Sequence, residues 1–424
     1  MNFIEELKWR GLLFDTTPDT EHHLNSGSRS GYIGFDPSAP SLHIGNLMQI
    51  MLLVHFQRSG HKPIALVGGA TGMIGDPSGK SEERKLLSEE KIREYEVKIK
   101  EQLSRFLDFG QKSNSASIEN NYEWYKNMNV LEFLRDVGKY LTVNYMMAKD
   151  SVKNRLETGI SFTEFSYQLL QGYDFFWLNQ NRNCTLQMGG SDQWGNIVAG
   201  IELTRKKSGN ELFAVTSPLV TRADGKKFGK TEEGTIWLDK TMTSPYKFYQ
   251  FWLNIGDEEA TKYIRYFSLF EEEEVQELEK NHVASPHLRL LQQVLAKDIT
   301  IRVHSEDDYQ QALQASKILF GQATAEELRS LSNRDFEEIF EGVPTTKLSR
   351  SDFDNGMEVM KLLVDETHFF PTRSDARRTI QGNGAGINKQ QITLDQVVNA
   401  DQLINNRYLL LQKGKKNYFL VIAE

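Results

Sequence analysis

Along the first half of the chain, short apolar runs alternate with stretches in which apolar residues recur at helical spacing. Tyr32, Ile33 and Phe35 have the β-branched and aromatic bias of a buried strand end, and Asp36-Pro37 and Pro40 break it. Leu47 to Phe56 then spaces its apolar residues as a helix does, and Pro63-Ile-Ala-Leu-Val67 with its glycine-rich turn starts the cycle again. This alternation predicts an α/β fold, a Rossmann-like parallel-sheet domain over residues 1–222, with a loop and connector over 223–244. The pattern turns helical from Pro245, as in Lys247-Phe-Tyr-Gln-Phe-Trp-Leu253, and predicts an α-helical domain over 245–322. A stretch rich in Ser, Thr, Asn, Arg and Asp over 323–356 reads as a linker, and 357–424 as a small closing module. No tandem repeat or low-complexity tract interrupts this order.

Composition narrows the class. With 424 residues, 39% of them hydrophobic and 25% charged, the chain is long enough for two or three domains with real cores. Its single cysteine, Cys184, cannot close an internal disulfide and reads as a small apolar packing residue. The first eleven residues form an amphipathic segment without the basic region and unbroken apolar core of a secretory signal, and no run is long enough to span a membrane. A cytoplasmic location is therefore expected. The net charge of −8 argues against a nucleic-acid partner, but the average conceals basic clusters near the C-terminus. These are Arg373, Arg377 and Arg378, then Arg407, Lys413, Lys415 and Lys416 among Tyr408, Tyr418 and Phe419.

The chemistry begins where strand gives way to helix. Gly31-Tyr-Ile-Gly-Phe-Asp-Pro runs into Leu42-His-Ile-Gly-Asn46, so His43, Gly45 and Asn46 sit at a helix mouth, where free backbone N–H groups and the helix dipole attract an anion. Alone, a histidine at a helix start is an ordinary polar surface residue. Its weight comes from Arg222-Ala-Asp-Gly-Lys-Lys-Phe-Gly-Lys-Thr231, whose glycines, cations and hydroxyl suit a clamp over a triphosphate.

With these motifs in hand, the chain resembles the bacterial-type tyrosyl-tRNA synthetases among the class I aminoacyl-tRNA synthetases. His43-Ile-Gly-Asn46 stands at the first class signature and Lys227-Phe-Gly-Lys-Thr231 at the second. Further blocks stand in family order: Leu66 to Lys80, Gly159 to Tyr167, Leu170 to Asp174 and Gln187 to Asn196. The resemblance implies an α-helical anticodon-side domain and a small α+β S4-like RNA-binding module over 357–424. It also implies a tyrosine—tRNA ligase that joins L-tyrosine to ATP as tyrosyl-adenylate, releases pyrophosphate and passes tyrosine to the 3′-terminal ribose of tRNA(Tyr).

By that resemblance, Asp76, Tyr167 and Gln171 take the substrate amine, with Gln187 nearby, and Tyr32 with Asp174 contact the phenol. His43, Asn46, Lys80, Arg84, Lys227, Lys230 and Thr231 are expected to act on the phosphates. Gly34, Asp36, Ser38, Gly45, Gly190, Asp192 and Gln193 are expected along the ATP and adenylate. The basic residues named above are expected to touch tRNA. A phenol pair would also reject phenylalanine, because buried polar groups left without a partner carry a desolvation cost. Mg²⁺ is expected with ATP, no protein-bound metal or prosthetic group is expected, and a homodimer is expected, with Val130 to Leu134 and Tyr145 to Met147 as its contact.

Three departures stand out. Asn46 replaces a second histidine, Ile33 stands where relatives often have Cys, and Gly384-Ala-Gly-Ile-Asn-Lys389 lacks the last glycine common in the S4-like turn. A nucleotidylyltransferase would share the helix mouth without the amine-binding group. A tryptophanyl-type synthetase would share more but lack the phenol pair, and a non-catalytic RNA-binding relative would not need both signatures.

Overall fold

The computed structural model describes residues 2–78, 87–149, 152–153, 159–220, 228–231, 234–319, 325–340, 343–414 and 417–424. These fold into two compact units, Met1–Met242 with Ile255–Val303, and Thr243–Asn254 with His304–Glu424.

The first unit is built on six strands: β1 (Asp15–Thr16), β2 (Ser30–Phe35), β3 (Lys62–Val67), β4 (Ser117–Asn120), β5 (Cys184–Gly190) and β6 (Phe213–Ser217). Their order is β1-β6-β5-β2-β3-β4, with β2 to β6 parallel and β1 antiparallel at one edge. The chain runs outward from β2 through β3 to β4 and then returns to β5 on the other flank of β2. A crevice therefore opens beyond the carboxyl ends of β2 and β5, where the strand order reverses. The helix Ile44–Arg58 between β2 and β3 buries ten of its fifteen residues, which explains why its apolar positions extend around most of its circumference. At the N-terminus, Asn2 caps the helix Phe3–Arg10 and Gly11, at φ 73°, ends it. Cys184 is fully buried, and burial pushes its thiol up to about 12, in keeping with a packing role.

The expected boundaries differ from these units in two places. The helical stretch 245–322 is divided: the helix Pro245–Leu253 packs against Glu306–Leu319 and Asn333–Ile339 in the second unit, whereas Asp257–Phe267 packs against Ile44–Arg58 in the first. Helical periodicity shows that a face is apolar but not which partner covers it. The expected linker 323–356 is in large part folded. Within it, β7 (Thr345–Leu348) pairs in parallel with β11 (Asn417–Ala423), Phe336 stacks on Tyr408 at 4.8 Å, and Phe353 is completely buried. Its polar composition belongs to the exposed side of these short elements.

The same sheet takes in β8 (Ala385–Ile387), β9 (Gln390–Gln391) and β10 (Tyr408–Lys413), in the order β9-β8-β10-β11-β7. The turn without its expected glycine joins β8 to β9 with Asn388 at φ 49° and Lys389 at φ 65°. Asn388 tolerates that region and ties it down, its Oδ1 accepting from Leu410 N at 2.9 Å and its Nδ2 donating to the Gln402 carbonyl at 2.6 Å. Lys389 lies over the Tyr418 ring at 4.3 Å, which offsets part of its backbone cost. Among the described residues no helix is long and apolar enough to cross a membrane.

Candidate active site

The crevice holds a cavity of about 670 Å³. It is lined by Tyr32, Gly34, Asp36 and Ser38 from the end of β2, and by His43, Gly45 and Asn46 from the helix mouth. Asp76, Tyr167, Gln171 and Asp174 line it too, with Gln187, Gly190, Asp192 and Gln193 from β5 and the turn after it. Residues far apart in sequence thus converge on one space. Lys80, Arg84, Lys227, Lys415 and Lys416 lie outside the described residues, as do the side chains of Lys230 and Thr231.

At the helix mouth, His43 Nδ1 accepts from Gly45 N at 3.0 Å and Asn46 Oδ1 accepts from His43 N at 3.0 Å, a reciprocal cap. The cap uses the oxygen of the Asn46 amide and leaves its two N–H donors for another partner. The second signature comes to the same place. The carbonyl of Gly229 accepts from Ile236 N at 3.0 Å, and Ile236 and Leu238 bond to Ile44 and Leu42 at 3.1 and 2.8 Å. Gly229 has φ 83°, and a Cβ there would lie 2.6 Å from Ile44 Cγ1, so this approach of the two motifs requires glycine. Phe228 anchors the turn by stacking on Phe267 at 5.6 Å.

Tyr32 is buried at 1% exposure, and its hydroxyl has no hydrogen-bond partner among the described residues. Burial and then the nearby charge of Asp174 push that hydroxyl well above its ordinary pKa. Asp174 is itself buried, and its oxygens accept from Trp124 Nε1 at 2.9 Å and Asn121 Nδ2 at 3.0 Å. Burial raises its carboxyl to about 7, against the pull of these donors. Gln187, paired with Tyr32 across β2 and β5, also has a buried oxygen with no partner among the described residues.

The expected amine group is gathered on the one cavity, but its members bond to neighbours and not to one another. Asp76 Oδ1 accepts from Ser78 N at 2.9 Å, and Asp76 Oδ2 accepts from Gln193 Nε2 at 2.8 Å. Gln171 Nε2 reaches Gln193 Oε1 at 3.4 Å. The Tyr167 hydroxyl donates to Asp36 Oδ2 at 2.9 Å, and Thr71 Oγ1 donates to Asp36 Oδ1 at 2.7 Å. Gly68 passes so close that a Cβ there would collide with both Asp36 Oδ1 and Thr71 Oγ1. Asn121 completes the chain by donating also to Thr71 Oγ1 at 3.0 Å, which links Asp174 to Asp36.

A family model described as tRNA synthetases class I (W and Y) matches residues 25–321. The chain belongs to that family. As a class I synthetase of this group it also matches, over residues 335–421, a model described as the tyrosine--tRNA ligase SYY-like C-terminal domain. It is 57% identical over 423 residues to a tyrosine--tRNA ligase of Cytophaga hutchinsonii, with 99% of each chain covered. It is 54% identical over 430 residues to one of Porphyromonas gingivalis, with both chains covered completely. Among solved structures, a C-terminally truncated mitochondrial tyrosyl-tRNA synthetase of Aspergillus nidulans superposes with a TM-score of 0.67 at 29% identity, covering 75% of this chain and 94% of that one.

Sequence reasoning does not single out Thr71, Asn121, Trp124 or Asn196. Thr71 and Asn196 belong to motif blocks without a role being assigned to them, and nothing in the local pattern of Asn121 or Trp124 signals their contacts, because both act on Asp174 about fifty residues away. In the C-terminal unit, Arg373 is paired with Asp365, and Arg378 and Lys413 share Asp375 at 3.2 and 2.9 Å. Arg407 lies 3.8 Å from Glu337, and Arg377 is exposed.

Proposed function

We infer that this synthetase is a tyrosine—tRNA ligase. The observation that carries the reading is the buried, unpartnered hydroxyl of Tyr32 beside the buried carboxylate of Asp174, both lining one cavity with the helix mouth. A buried hydroxyl without a partner costs about 1–3 kcal/mol, which a ligand phenol removes by bonding to Tyr32 and Asp174 together. An indole in the same place could not satisfy both, which favours tyrosine over tryptophan.

In the proposed reaction, an oxygen of the tyrosine carboxylate attacks the α-phosphorus of ATP, and the bond from that phosphorus to the bridging oxygen breaks to release pyrophosphate. A 3′-terminal ribose hydroxyl of tRNA(Tyr) then attacks the carbonyl carbon, loses its proton and expels AMP. No protein nucleophile is needed, so the side chains position substrates and stabilise charge. Asp76 accepts the substrate ammonium, with Tyr167 and Gln171 nearby. His43 and the Asn46 amide donate to phosphate at the helix mouth, with Lys80, Arg84, Lys227, Lys230 and Thr231 proposed to close on the departing pyrophosphate. Asp36 and Asp192 are proposed to hold the ribose, and Mg²⁺ accompanying ATP supplies charge neutralisation on its phosphates. The basic residues of the C-terminal unit, Arg377 foremost, are proposed to meet tRNA phosphates.

A homodimer is proposed as well. The helix Val130–Asp136 buries none of its residues, and Val130, Leu131, Leu134, Val143 and Met147 are exposed, an apolar set that a second copy of the chain would cover.

Amino-acid-dependent ATP–pyrophosphate exchange tests the central reading. Exchange is expected with tyrosine and not with tryptophan or phenylalanine. Exchange driven by tryptophan would reassign the substrate, and no tyrosine-dependent exchange would overturn the proposal.

A further inference from the structure

Asp76 is nine-tenths buried, and no cationic side chain lies within ion-pairing distance of it among the described residues. Neutral donors hold it instead. Ser78 N and, at 3.5 Å, Asn196 Nδ2 donate to Oδ1, while Gln193 Nε2 alone takes Oδ2 at 2.8 Å. The other end of the Gln193 amide is held loosely, by Gln171 Nε2 at 3.4 Å and Asn196 Nδ2 at 3.3 Å. Its short bond is therefore the one on the carboxylate oxygen that an ammonium would seek.

We propose that Gln193 is an intramolecular stand-in for the substrate ammonium: it satisfies Asp76 until an ammonium takes its place, and the displaced amide then turns to the acyl and phosphate groups of the second substrate. The inference rests on the reading of Asp76 as the ammonium acceptor. Its physical basis is that an ammonium brings a full positive charge to the carboxylate where the Gln193 amide brings only a dipole, so the ion pair wins Oδ2. Gln193 sits on the turn Ser191–Gln193 after β5, beside Gly190 and Asp192, so its freed donor remains in the cavity. The bond to Asp76 lowers net affinity for any ligand with an ammonium, because that ligand must break it. A ligand without one leaves it intact.

The test compares L-tyrosine with 3-(4-hydroxyphenyl)propionate, which lacks the amine, binding to the full-length protein and to Gln193→Ala. The affinity ratio of tyrosine to the desamino acid is expected to rise by roughly tenfold or more in Gln193→Ala, the equivalent of one hydrogen bond to a charged group no longer broken. Adenylate formation by the variant is expected to slow, because the freed donor is gone. An unchanged or reduced ratio would overturn the proposal, since a side chain that merely shaped the pocket would leave the ratio alone and one that helped hold the ammonium would lower it. If the unaltered protein itself binds both ligands equally well, it is the assignment of Asp76 that fails.

Discussion

Asp174 has a carboxyl that burial holds up at about 7, so its charge changes within the range where the protein can be assayed. The ionised form accepts from Trp124, Asn121 and, in the proposed complex, the substrate phenol. Tyrosine affinity is therefore expected to be full above pH 7 and to fall by up to about tenfold per unit as pH drops below it. Asp174→Asn should flatten that profile, and titrations of tyrosine binding from acid to alkaline pH check both. The linked effect on folding has the opposite sense. A carboxyl whose folded value is raised contributes most to stability when protonated, and that contribution is lost as pH rises from the ordinary carboxylate range through about 7. At this scale the sequence makes Tyr32 and Asp174 legible through their motifs. It does not reveal Asn121 and Trp124, because a hydrogen bond between side chains fifty positions apart leaves no local pattern.

At the scale of elements, the helix Ile44–Arg58 and the strand-turn that meets it form one device. Asn46 has two separable duties there, an oxygen that caps the helix and an amide nitrogen free to meet phosphate. Asn46→Ala should cost about 1 kcal/mol of stability through the lost cap and should slow exchange. Asn46→Asp keeps an acceptor for the cap, and a carboxylate suits the first turn of a helix, so its melting temperature should stay near that of the unaltered protein. Its exchange rate should nevertheless fall at least as far, because an anion then faces the phosphates. Equal exchange rates for Asn46→Asp and the unaltered protein would remove Asn46 from the phosphate site. The glycine of the second signature was legible as a flexible loop residue. Its need for φ 83° against Ile44 came only from the approach of the two motifs.

At the scale of the molecule, the chain divides its helices between two units instead of gathering them into one domain. Phe353 tests the part read from composition as a linker, since it is fully buried in the core of the C-terminal unit. Phe353→Ala should cost about 3–5 kcal/mol and lower the unfolding temperature of that unit, whereas a phenylalanine on a tether would change it by less than about 0.5 kcal/mol. Calorimetry of the full chain distinguishes the two. The exposed apolar face is tested by Leu131→Asp, which should shift a dimer toward monomer in sedimentation while leaving the monomer folded, because Leu131 is 74% exposed.

The sequence by itself determined the class of fold, the two signatures and the order of the substrate-binding blocks. Strand and helix periodicity are local, and the glycines, histidine and lysines of the signatures carry their chemistry in their own side chains and backbone. Only the tertiary structure decided which donors hold Asp174, that Asp36 bonds Tyr167 and Thr71, and that Gln193 occupies Asp76. It also decided which helices belong to which unit. Each of these depends on groups brought together from distant positions, where satisfaction of buried polar atoms and coverage of apolar faces select the partner, and neither leaves a trace in the spacing of residues along the chain.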